Sequence, residues 1–333
     1  MSVYRPSWWL RDGHAQTVYA ALFAPRPSVR YRRERWDTPD GDFIELDWIV
    51  NPALEPRRIN LMEPETVPLV VLFHGLEGSS RSHYAIALMA EVSRRGWRGA
   101  VVHFRGCGGE INRLPRAYHS GDSAEADWIL RRFAAEVAGA PVYAVGVSLG
   151  GNMLLKWLGE TGADARAIVR KAAAVSAPVD LMAAGEALDR GFNLIYRRHF
   201  LATMKKKALE KLGYYPELYD ATRVRAAYTL RGFDDLVTAP LHGFAGVDDY
   251  WTRASSKPWL RHIAVPTLMI NARNDPFLPC GALPAPHEVA PSVLLEQPDS
   301  GGHVGFISGL FPGNLRWPPC RILEFFSASA EKL

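Results

Sequence analysis

The sequence predicts an α/β fold with a mostly parallel, doubly wound sheet and an inserted helical cap. Several short, continuous apolar runs are typical of strands that are buried on both faces of a parallel sheet. Helical patterns, with apolar residues three and four positions apart, separate several of these runs. The segment 178–257 is helical, aromatic and basic and has no convincing strand pattern. The chain of 333 residues is long enough to bury a large core.

In chain order, an apolar stretch at 15–25 first predicts a helix that packs on the core. Segments 31–37 and 43–50 alternate apolar and charged residues around a turn that contains Pro39 and Gly41, which predicts a β-hairpin. The buried strands are then expected at 69–73, 100–104, 142–147, 172–175, 267–271 and 293–296, and the helices at 84–95, 123–137 and 151–160.

This pattern predicts one catalytic core that is interrupted by an insertion. The core comprises 1–177 and 258–333, with 1–35 as an N-terminal arm packed on it, and 178–257 forms the helical cap. Ligands of doubly wound sheets bind at the carboxyl ends of the strands, and an insertion that leaves such an end can cover the site. Functional residues are therefore expected in the turns that follow strands.

The charges are distributed unevenly around a formal net charge of +4. Residues 1–35 hold seven basic and two acidic side chains, and 190–211 hold seven basic and one acidic, which leaves −7 for the rest. Neither basic block belongs to a motif that binds nucleic acid, so no nucleic-acid partner is expected. The basic segment 194–212 predicts an amphipathic helix whose cations face solvent, with peripheral contact to an anionic membrane as the alternative.

Targeting and cysteine patterns predict a cytoplasmic protein without a metal. No run approaches the roughly 18 apolar residues of a membrane span, and the charged N-terminus makes a poor signal peptide. The three cysteines, Cys107, Cys280 and Cys320, are widely spaced and form no C-x-x-C pair. We therefore expect buried free thiols and no metal site.

The candidate nucleophile is Ser148. It lies in Gly146-Val147-Ser148-Leu149-Gly150, a G-x-S-x-G motif between an expected strand and an expected helix. A sharp strand-to-helix turn of this kind raises one hydroxyl above the sheet, and the flanking glycines avoid collisions with the neighbouring backbone. The helix N-terminus also favours negative charge that develops near the serine.

A serine hydroxyl needs a base, and the base needs an orienting acid. His303 lies in a glycine-rich turn after the last expected strand, and it follows the other candidates in the chain order that this motif requires. Asp275 directly follows the strand at 267–271 and is the leading acid. Asp180 is the second candidate and Asp299 the third.

An oxyanion hole is expected where the first buried strand ends. The segment Phe73-His74-Gly75-Leu76-Glu77-Gly78 follows that strand. The backbone N–H groups of Leu76 and Leu149 are the two expected donors. His74 is expected to shape the turn rather than to act as a base, and His74 and Gly75 are further candidates for substrate binding.

Together these motifs resemble the α/β-hydrolase superfamily and, within it, its YheT-like branch. The strings that carry this resemblance span almost the whole chain: GHAQT at 13–17, HGLEG at 74–78, FRGCGG at 104–109, YHSGD at 118–122, GVSLGGN at 146–152, FDD at 233–235 and GGHVGF at 301–306. The resemblance implies a serine esterase that acts on acyl esters, with medium-chain or lipid esters plausible, and that needs no cofactor.

Three functions stay open on the sequence alone. The first is hydrolysis of a carboxylic ester through an acyl-Ser148 intermediate. The second keeps the same triad and transfers the acyl group or cleaves thioesters. The third is a non-catalytic binding protein on the same fold, since a fold alone does not determine function.

Outside the triad, His14 and His119 are expected to form hydrogen bonds that hold loops in place, with a pocket-lining role as the alternative.

Overall fold

The computed structural model describes residues 3–50, 67–137 and 139–328. Its centre is an eight-stranded sheet in the order β1-β2-β4-β3-β5-β6-β7-β8. β1 pairs with β2, and β2 with β4, in antiparallel fashion, whereas all other neighbouring pairs are parallel. The strands are β1 (Tyr31–Asp37), β2 (Phe43–Ile49), β3 (Leu69–Phe73), β4 (Arg98–His103), β5 (Val142–Val147), β6 (Lys171–Val175), β7 (Thr267–Ile270) and β8 (Val293–Glu296).

The predicted mostly parallel, doubly wound sheet is confirmed. Every residue of β3, β5, β6 and β7 is buried, as expected for strands that are covered on both faces. The largest boundary difference is at β4, which begins two residues before the predicted 100–104 because Arg98 pairs with Leu69 at the start of β3. β1 and β2 form the predicted hairpin.

Helices cover both faces of the sheet. Alternate residues of β3 belong to two different apolar clusters, one that includes Ile129 and Met153 and another that includes Leu88 and Phe326. The helices that carry these four residues thus pack in pairs on opposite faces. The helices outside the cap segment are α1 (Gly13–Leu22), α2 (His83–Arg94), α3 (Ser123–Glu136), α4 (Leu149–Thr161) and, after the cap segment, α11 (Trp317–Ser327).

Residues 178–257, called the cap segment below, connect β6 to β7 and contain no strand. They have an apolar cluster of their own that includes Leu201, Val224 and Trp251. The two chain ends of the segment meet, since Lys257 N–H donates to Val179 O at 3.0 Å. The division into core and cap at these boundaries stays a prediction. The helices of the cap segment are α5 (Leu181–Leu188), α6 (Leu194–Lys211), α7 (Ala221–Ala226), α8 (Leu230–Phe233), α9 (Ala239–Leu241) and α10 (Val247–Ala254).

The N-terminal residues and α1 pack against the loop that follows β8. Tyr4 Oη donates to Ile307 O and to Gln16 Oε1, both at 2.9 Å, and the same amide oxygen accepts from Ile307 N–H at 3.2 Å. The GHAQT string thus holds the loop that carries His303. Over the described ranges, no helix is both long and apolar enough to cross a membrane.

Candidate active site

Ser148 stands at the turn between β5 and α4. Its backbone has φ 52° and ψ −120°, a conformation that side-chain-bearing residues rarely adopt. The turn is held because Ser148 N–H donates to Val175 O at 2.9 Å, and helix α4 begins at the next residue. The serine therefore lies beyond the carboxyl end of β5, at the N-terminus of a 13-residue helix.

The two glycines of the motif are required by close backbone contacts. A Cβ atom on Gly146 would lie 2.4 Å from Gly150 O, and one on Gly150 would lie 2.5 Å from His74 O and from Phe73 O. Gly75 is similar, because its Cβ would come within 3.1 Å of the Ser148 Cβ. Alanine at Gly146 would thus open the turn itself, and alanine at Gly150 would push the turn away from the end of β3.

The structure brings Ser148, His303 and Asp275 together in one hydrogen-bonded chain. Ser148 Oγ lies 2.9 Å from His303 Nε2. His303 Nδ1 lies 2.9 Å from Asp275 Oδ2 and 3.1 Å from Oδ1. The Asp275 side chain is fully buried and that of His303 is 9% exposed. This is the order of contacts that a nucleophile, a base and an orienting acid require.

The other two candidate acids lie elsewhere. Asp180 Oδ1 accepts from Ala183 N–H at 3.0 Å and caps helix α5. The Asp299 side chain is 98% exposed and lies 3.7 Å from Arg273. Neither carboxylate is hydrogen-bonded to His303, so Asp275 is the acid that the geometry favours.

The loop of His303 is held from several sides. His303 N–H donates to Thr17 Oγ1 at 2.9 Å, and Val304 N–H donates to Ser176 Oγ at 3.0 Å. The ring of Phe277 stacks on the imidazole with centroids 4.0 Å apart and an interplanar angle of 20°. Phe277 N–H also donates to Asp275 Oδ1 at 2.8 Å. These contacts fix the imidazole orientation that proton transfer needs.

Two backbone N–H groups point to an oxyanion hole. Among the described residues, neither Leu76 N–H nor Leu149 N–H has a hydrogen-bond acceptor. Both residues line the same cavity as Ser148 and His303. The Leu149 N–H is free because it belongs to the first turn of α4, and together with the Leu76 N–H in the same cavity lining it favours the predicted oxyanion site.

The expected contact of His74 and Gly75 with substrate is corrected by their positions. The His74 ring is fully buried, accepts from Phe104 N–H at Nε2 and donates from Nδ1 to Gly75 O. Burial, aided by the nearby His103, lowers the His74 pKa to about 3, so the ring is neutral. Gly75 N–H donates to Tyr84 Oη. Both residues hold the turn and are absent from the described lining of the cavity.

A cavity of about 1290 Å³, including its open mouth, joins the triad to the cap segment. It is lined mainly by apolar and aromatic side chains from both the core and the cap segment. A cavity with this apolar lining suits an acyl chain. Its cap-segment lining includes Leu181, Leu188, Phe200, Met204, Leu230, Phe233, Val237 and Trp251.

A polar cluster stands in this cavity beside the oxyanion turn. Lys207 Nζ, from helix α6, lies 2.9 Å from the Glu77 carboxylate and 3.2 Å from Cys107 Sγ. Tyr118 Oη donates to Glu77 Oε1 at 2.7 Å and accepts from Glu77 N–H at 3.0 Å. Glu77 follows the candidate donor Leu76 and has φ 55°. The cap segment thus supplies a cation to the turn that carries the candidate oxyanion donor Leu76 N–H.

The expectation that the cations of this helix face solvent is therefore wrong for two of them. Lys207 pairs with Glu77, and Lys211 is buried, with Nζ 2.6 Å from both Asn112 O and Leu114 O. Burial lowers the Lys211 pKa. Carbonyl oxygens and a carboxylate of the core satisfy ammonium groups that the amphipathic pattern would place in water.

Sequence analysis missed three features of the site. The first is the stacking of Phe277 on His303, although the phenylalanine lies only two residues after Asp275. The second is the inward-facing Lys207. The third is Asp234 of the FDD string, a buried carboxylate that lines the cavity and accepts from Thr238 Oγ1 and Trp251 Nε1.

The remaining predicted residues divide between structure and cavity. His119 lines the cavity and its Nδ1 accepts from Gly121 N–H, whereas His14 Nδ1 lies 3.2 Å from Tyr196 Oη. The expectation of buried thiols is wrong for Cys280, which is exposed. In the part of the chain that is described, no group of three or more His, Cys, Asp or Glu residues could hold a metal ion.

Comparison with protein families and curated proteins gives consistent matches. The family described as "alpha/beta hydrolase fold" matches residues 68–310. The chain is 40% identical over 320 residues to "Putative esterase YheT" of Escherichia coli (strain K12), which covers 96% of this chain and 91% of that protein. It is 30% identical over 332 residues to human "Phospholipase ABHD3" (98% and 79%) and 26% identical over 360 residues to "Monoacylglycerol lipase" of Saccharomyces cerevisiae (95% and 79%).

Solved structures share the fold at low sequence identity. The esterase Pf2001 of Pyrococcus furiosus superposes with a TM-score of 0.55 at 17% identity, covering 91% of this chain and 98% of that one. Est1E of Butyrivibrio proteoclasticus, solved with ferulic acid bound, gives a TM-score of 0.53 at 15% identity, covering 89% and 97%. At these identities the likeness shows the fold alone.

Proposed function

Since the chain belongs to the α/β-hydrolase fold family, we propose that it is a serine hydrolase that cleaves carboxylic esters through an acyl-Ser148 intermediate. The observation that carries the proposal is the contact of Ser148 Oγ with His303 Nε2 at 2.9 Å, with Asp275 behind the imidazole. The curated relatives named esterase, phospholipase and monoacylglycerol lipase support the same reaction class.

The proposed mechanism follows from the donors and acceptors around Ser148. His303 Nε2 takes the hydroxyl proton as Ser148 Oγ attacks the ester carbonyl, and Asp275 stabilises the imidazolium that forms. Leu76 N–H and Leu149 N–H stabilise the oxyanion, where loss of one donor typically costs about 3 to 4 kcal/mol. His303 then protonates the leaving alcohol, and water attacks the acyl-enzyme by the same route in reverse.

For the substrate we propose esters with medium-chain or lipid acyl groups. The cavity beside Ser148 is apolar over most of its wall, so it favours an acyl chain over a sugar or a peptide. Lys207, Glu77 and Tyr118 form a polar patch next to the oxyanion turn and are suited to contact the alcohol part. No cofactor takes part in the proposed reaction.

Peripheral membrane contact through 194–212 and a cytoplasmic location stay predictions. Fewer cations of 194–212 are free for membrane contact than the sequence suggests, because Lys207 and Lys211 face the core and Arg197 pairs with Asp189 at 3.0 Å. Exposed cations of helix α6, such as Arg198, are those that could face lipid. No nucleic-acid partner is proposed.

Substitution of Ser148 tests the proposed function. Ser148→Ala removes the nucleophile, and we expect kcat/KM on p-nitrophenyl esters of graded acyl length to fall by a factor of about 10³ or more. A fluorophosphonate probe should label the wild-type protein and not the variant. Asp299→Ala is the matched control, because this exposed carboxylate lies outside the triad and its loss should leave activity unchanged.

Two other outcomes decide between the alternatives. Wild-type activity in Ser148→Ala would contradict the proposed mechanism, and failure of the wild-type protein to react with either probe would favour a non-catalytic binding protein. Product analysis with competing alcohols and thiols separates hydrolysis from acyl transfer, since both pass through the same acyl-enzyme.

A further inference from the structure

Five large apolar side chains are exposed on the N-terminal residues, on helix α1 and on the loop that packs against them. They come from the segment before α1, from the end of α1 and from the loop after His303. Their exposed fractions range from 66% to 80%. Exposed apolar residues are normally scattered singly, and a contiguous group indicates an interaction site. We call them the N-terminal apolar surface: Trp8, Leu22, Phe23, Leu310 and Phe311.

Ring contacts through Trp9 and Tyr19 join Phe311 to Phe23, and Trp8, Leu22 and Leu310 are their neighbours in the chain. The ring of Trp9 packs against Phe311 at 5.4 Å and against Tyr19 at 5.1 Å. Tyr19 in turn contacts Phe23 at 5.9 Å and donates from Oη to Pro312 O at 2.9 Å. The end of helix α1 and the loop after His303 are therefore fastened to each other, and their exposed side chains keep a common position.

Cations outnumber carboxylates around this surface, and the nearby Glu91 is paired with Arg94. Between residues 3 and 30 the only carboxylate is Asp12, and it accepts from Ala15 N–H as the cap of α1. The loop at 308–316 has no carboxylate. Arg26 donates to Ala21 O beside Leu22, and Arg316 follows the loop, with both guanidinium groups exposed. An apolar centre with a cationic rim complements the surface of an anionic bilayer.

A chain of aromatic contacts runs from the first turn of helix α1 to His303. His14 of helix α1 lies 4.7 Å from the ring of Phe192, which is 51% exposed. Phe192 contacts Tyr196 at 6.0 Å, Tyr196 contacts Phe277 at 4.9 Å, and Phe277 stacks on His303. Helix α1, which carries part of the N-terminal apolar surface, is thus linked by packed rings to the catalytic loop.

We propose that the N-terminal apolar surface binds an anionic lipid bilayer, with Trp8, Phe23 and Phe311 inserted at the interface and Arg26 and Arg316 against the headgroups. The partner is a lipid surface because the exposed guanidinium groups of Arg26 and Arg316 complement anionic headgroups around an apolar centre. The binding itself does not depend on the proposed esterase activity.

Vesicle flotation tests the proposal in the Ser148→Ala background, so that no lipid is consumed. We expect binding to phosphatidylcholine vesicles that contain phosphatidylserine, and binding at least about tenfold weaker in Trp8→Ser/Phe311→Ser, because two large side chains lose their burial. Arg26→Gln/Arg316→Gln should weaken binding to phosphatidylserine vesicles about tenfold and leave the weak binding to pure phosphatidylcholine unchanged.

Tyr214→Ser/Tyr228→Ser is the matched control, since these aromatic side chains of the cap segment are 65% and 76% exposed but lie outside the surface. It should bind like the parent. In the protein that keeps Ser148, the Trp8→Ser/Phe311→Ser variant should retain activity on a short soluble ester. This activity would show that the variant folds. Equal binding of parent and Trp8→Ser/Phe311→Ser overturns the proposal.

Three further outcomes bear on the proposal, and the second of them is measured by analytical ultracentrifugation. A parent that binds no vesicles overturns the proposal. It is also overturned when the protein is a dimer that Trp8→Ser/Phe311→Ser converts to a monomer, because the surface is then a contact between copies. A protein that binds vesicles but fails to react with fluorophosphonate would contradict the proposed function and leave the lipid surface supported.

Discussion

At the scale of single residues, Asp234 is a buried acid inside the cap segment. Its carboxylate accepts from Thr238 Oγ1 at 2.6 Å and from Trp251 Nε1 at 2.9 Å, and no cation contacts it among the described residues. Burial outweighs these two hydrogen bonds and raises the Asp234 pKa from 3.8 to about 6. The folded protein therefore holds this proton more tightly than the unfolded chain does.

This pKa predicts a stability that decreases with rising pH. Below about pH 4 the Asp234 carboxyl is protonated in both the folded and the unfolded state. As the pH rises through 6, the folded state loses a stabilisation of about 3 kcal/mol relative to the unfolded state. Asp234→Asn keeps both contacts, because the Thr238 hydroxyl can accept from the amide while Trp251 still donates. Urea unfolding at several pH values should thus show a smaller decline in the variant than in the wild-type protein.

The same unfolding experiment can also contradict the expected titration of Asp234. An equal decline of the unfolding free energy for wild type and Asp234→Asn between about pH 4 and pH 7 would show that Asp234 does not titrate in this range. Asp235→Asn is the control at the neighbouring position, where the carboxylate accepts from Val247 N–H and is partly exposed. It should keep the wild-type slope.

Single residues differ in how far sequence predicts them. The position of Ser148 in a strand-to-helix turn was predictable because a local rule applies: such a strained turn needs glycine at fixed positions, and the contacts of Gly146 and Gly150 obey that rule. Phe277 was not, because its stacking on His303 depends on how two loops from distant parts of the chain meet. Asp234 was quoted in a motif, but its burial comes only from tertiary packing.

At the scale of secondary-structure elements, helix α6 shows the limit of an amphipathic pattern. The sequence predicted its extent, 194–212, to within one residue at its end. It did not predict that Lys207 and Lys211, four residues apart on one side of the helix, face the core. Lysine is usually solvated, and Glu77 is 130 positions away in the chain, so no local pattern reveals the pair.

This helix predicts a link between the cap segment and the oxyanion turn. Lys207→Met leaves the Glu77 carboxylate, whose side chain is 8% exposed, without its cation, so the turn that presents Leu76 N–H should shift. We expect kcat on a short ester to fall about tenfold, because an oxyanion donor acts mainly in the transition state. Fluorophosphonate labelling should slow in parallel.

Two further variants make the expectation specific. Lys206→Met removes the exposed neighbour on the same helix and should leave kcat unchanged. Glu77→Gln combined with Lys207→Met should recover much of the lost activity, since no unpaired carboxylate then remains. A double variant as slow as Lys207→Met alone would mean that the ammonium group acts on something other than Glu77.

At the scale of the whole molecule, the fold class was predictable and the packing of its parts was not. Continuous apolar runs separated by helical patterns predict a buried parallel sheet, because period and composition suffice for that inference. Helix α11 was not predicted, although it covers one face of the sheet. The joint between core and cap segment also depends on side chains that have no distinctive spacing, and Asn152 is the main example.

Asn152 is completely buried at that joint. Its Nδ2 donates to Ser120 O and to Ala254 O, both at 2.8 Å, and its Oδ1 accepts from Ser256 N–H at 2.9 Å. It therefore ties helix α4 of the core, a neighbouring core loop and the returning end of the cap segment. The amide can fill this place because it is donor and acceptor at once.

Removal of this amide should weaken the molecule as a whole. Asn152→Ala leaves two carbonyl groups and one N–H group buried without partners, so the unfolding free energy should fall by about 3 kcal/mol or more. Asn152→Asp should also destabilise the protein, because a carboxylate oxygen would face the two carbonyls.

Asn314→Ala, whose side-chain contacts stay within the loop at 308–316, is the matched control and should cost less than about 1 kcal/mol in urea unfolding. Equal losses for Asn152→Ala and Asn314→Ala would show that the joint does not depend on this residue, and a separate early transition in Asn152→Ala would show that the cap segment unfolds independently once the tie is cut.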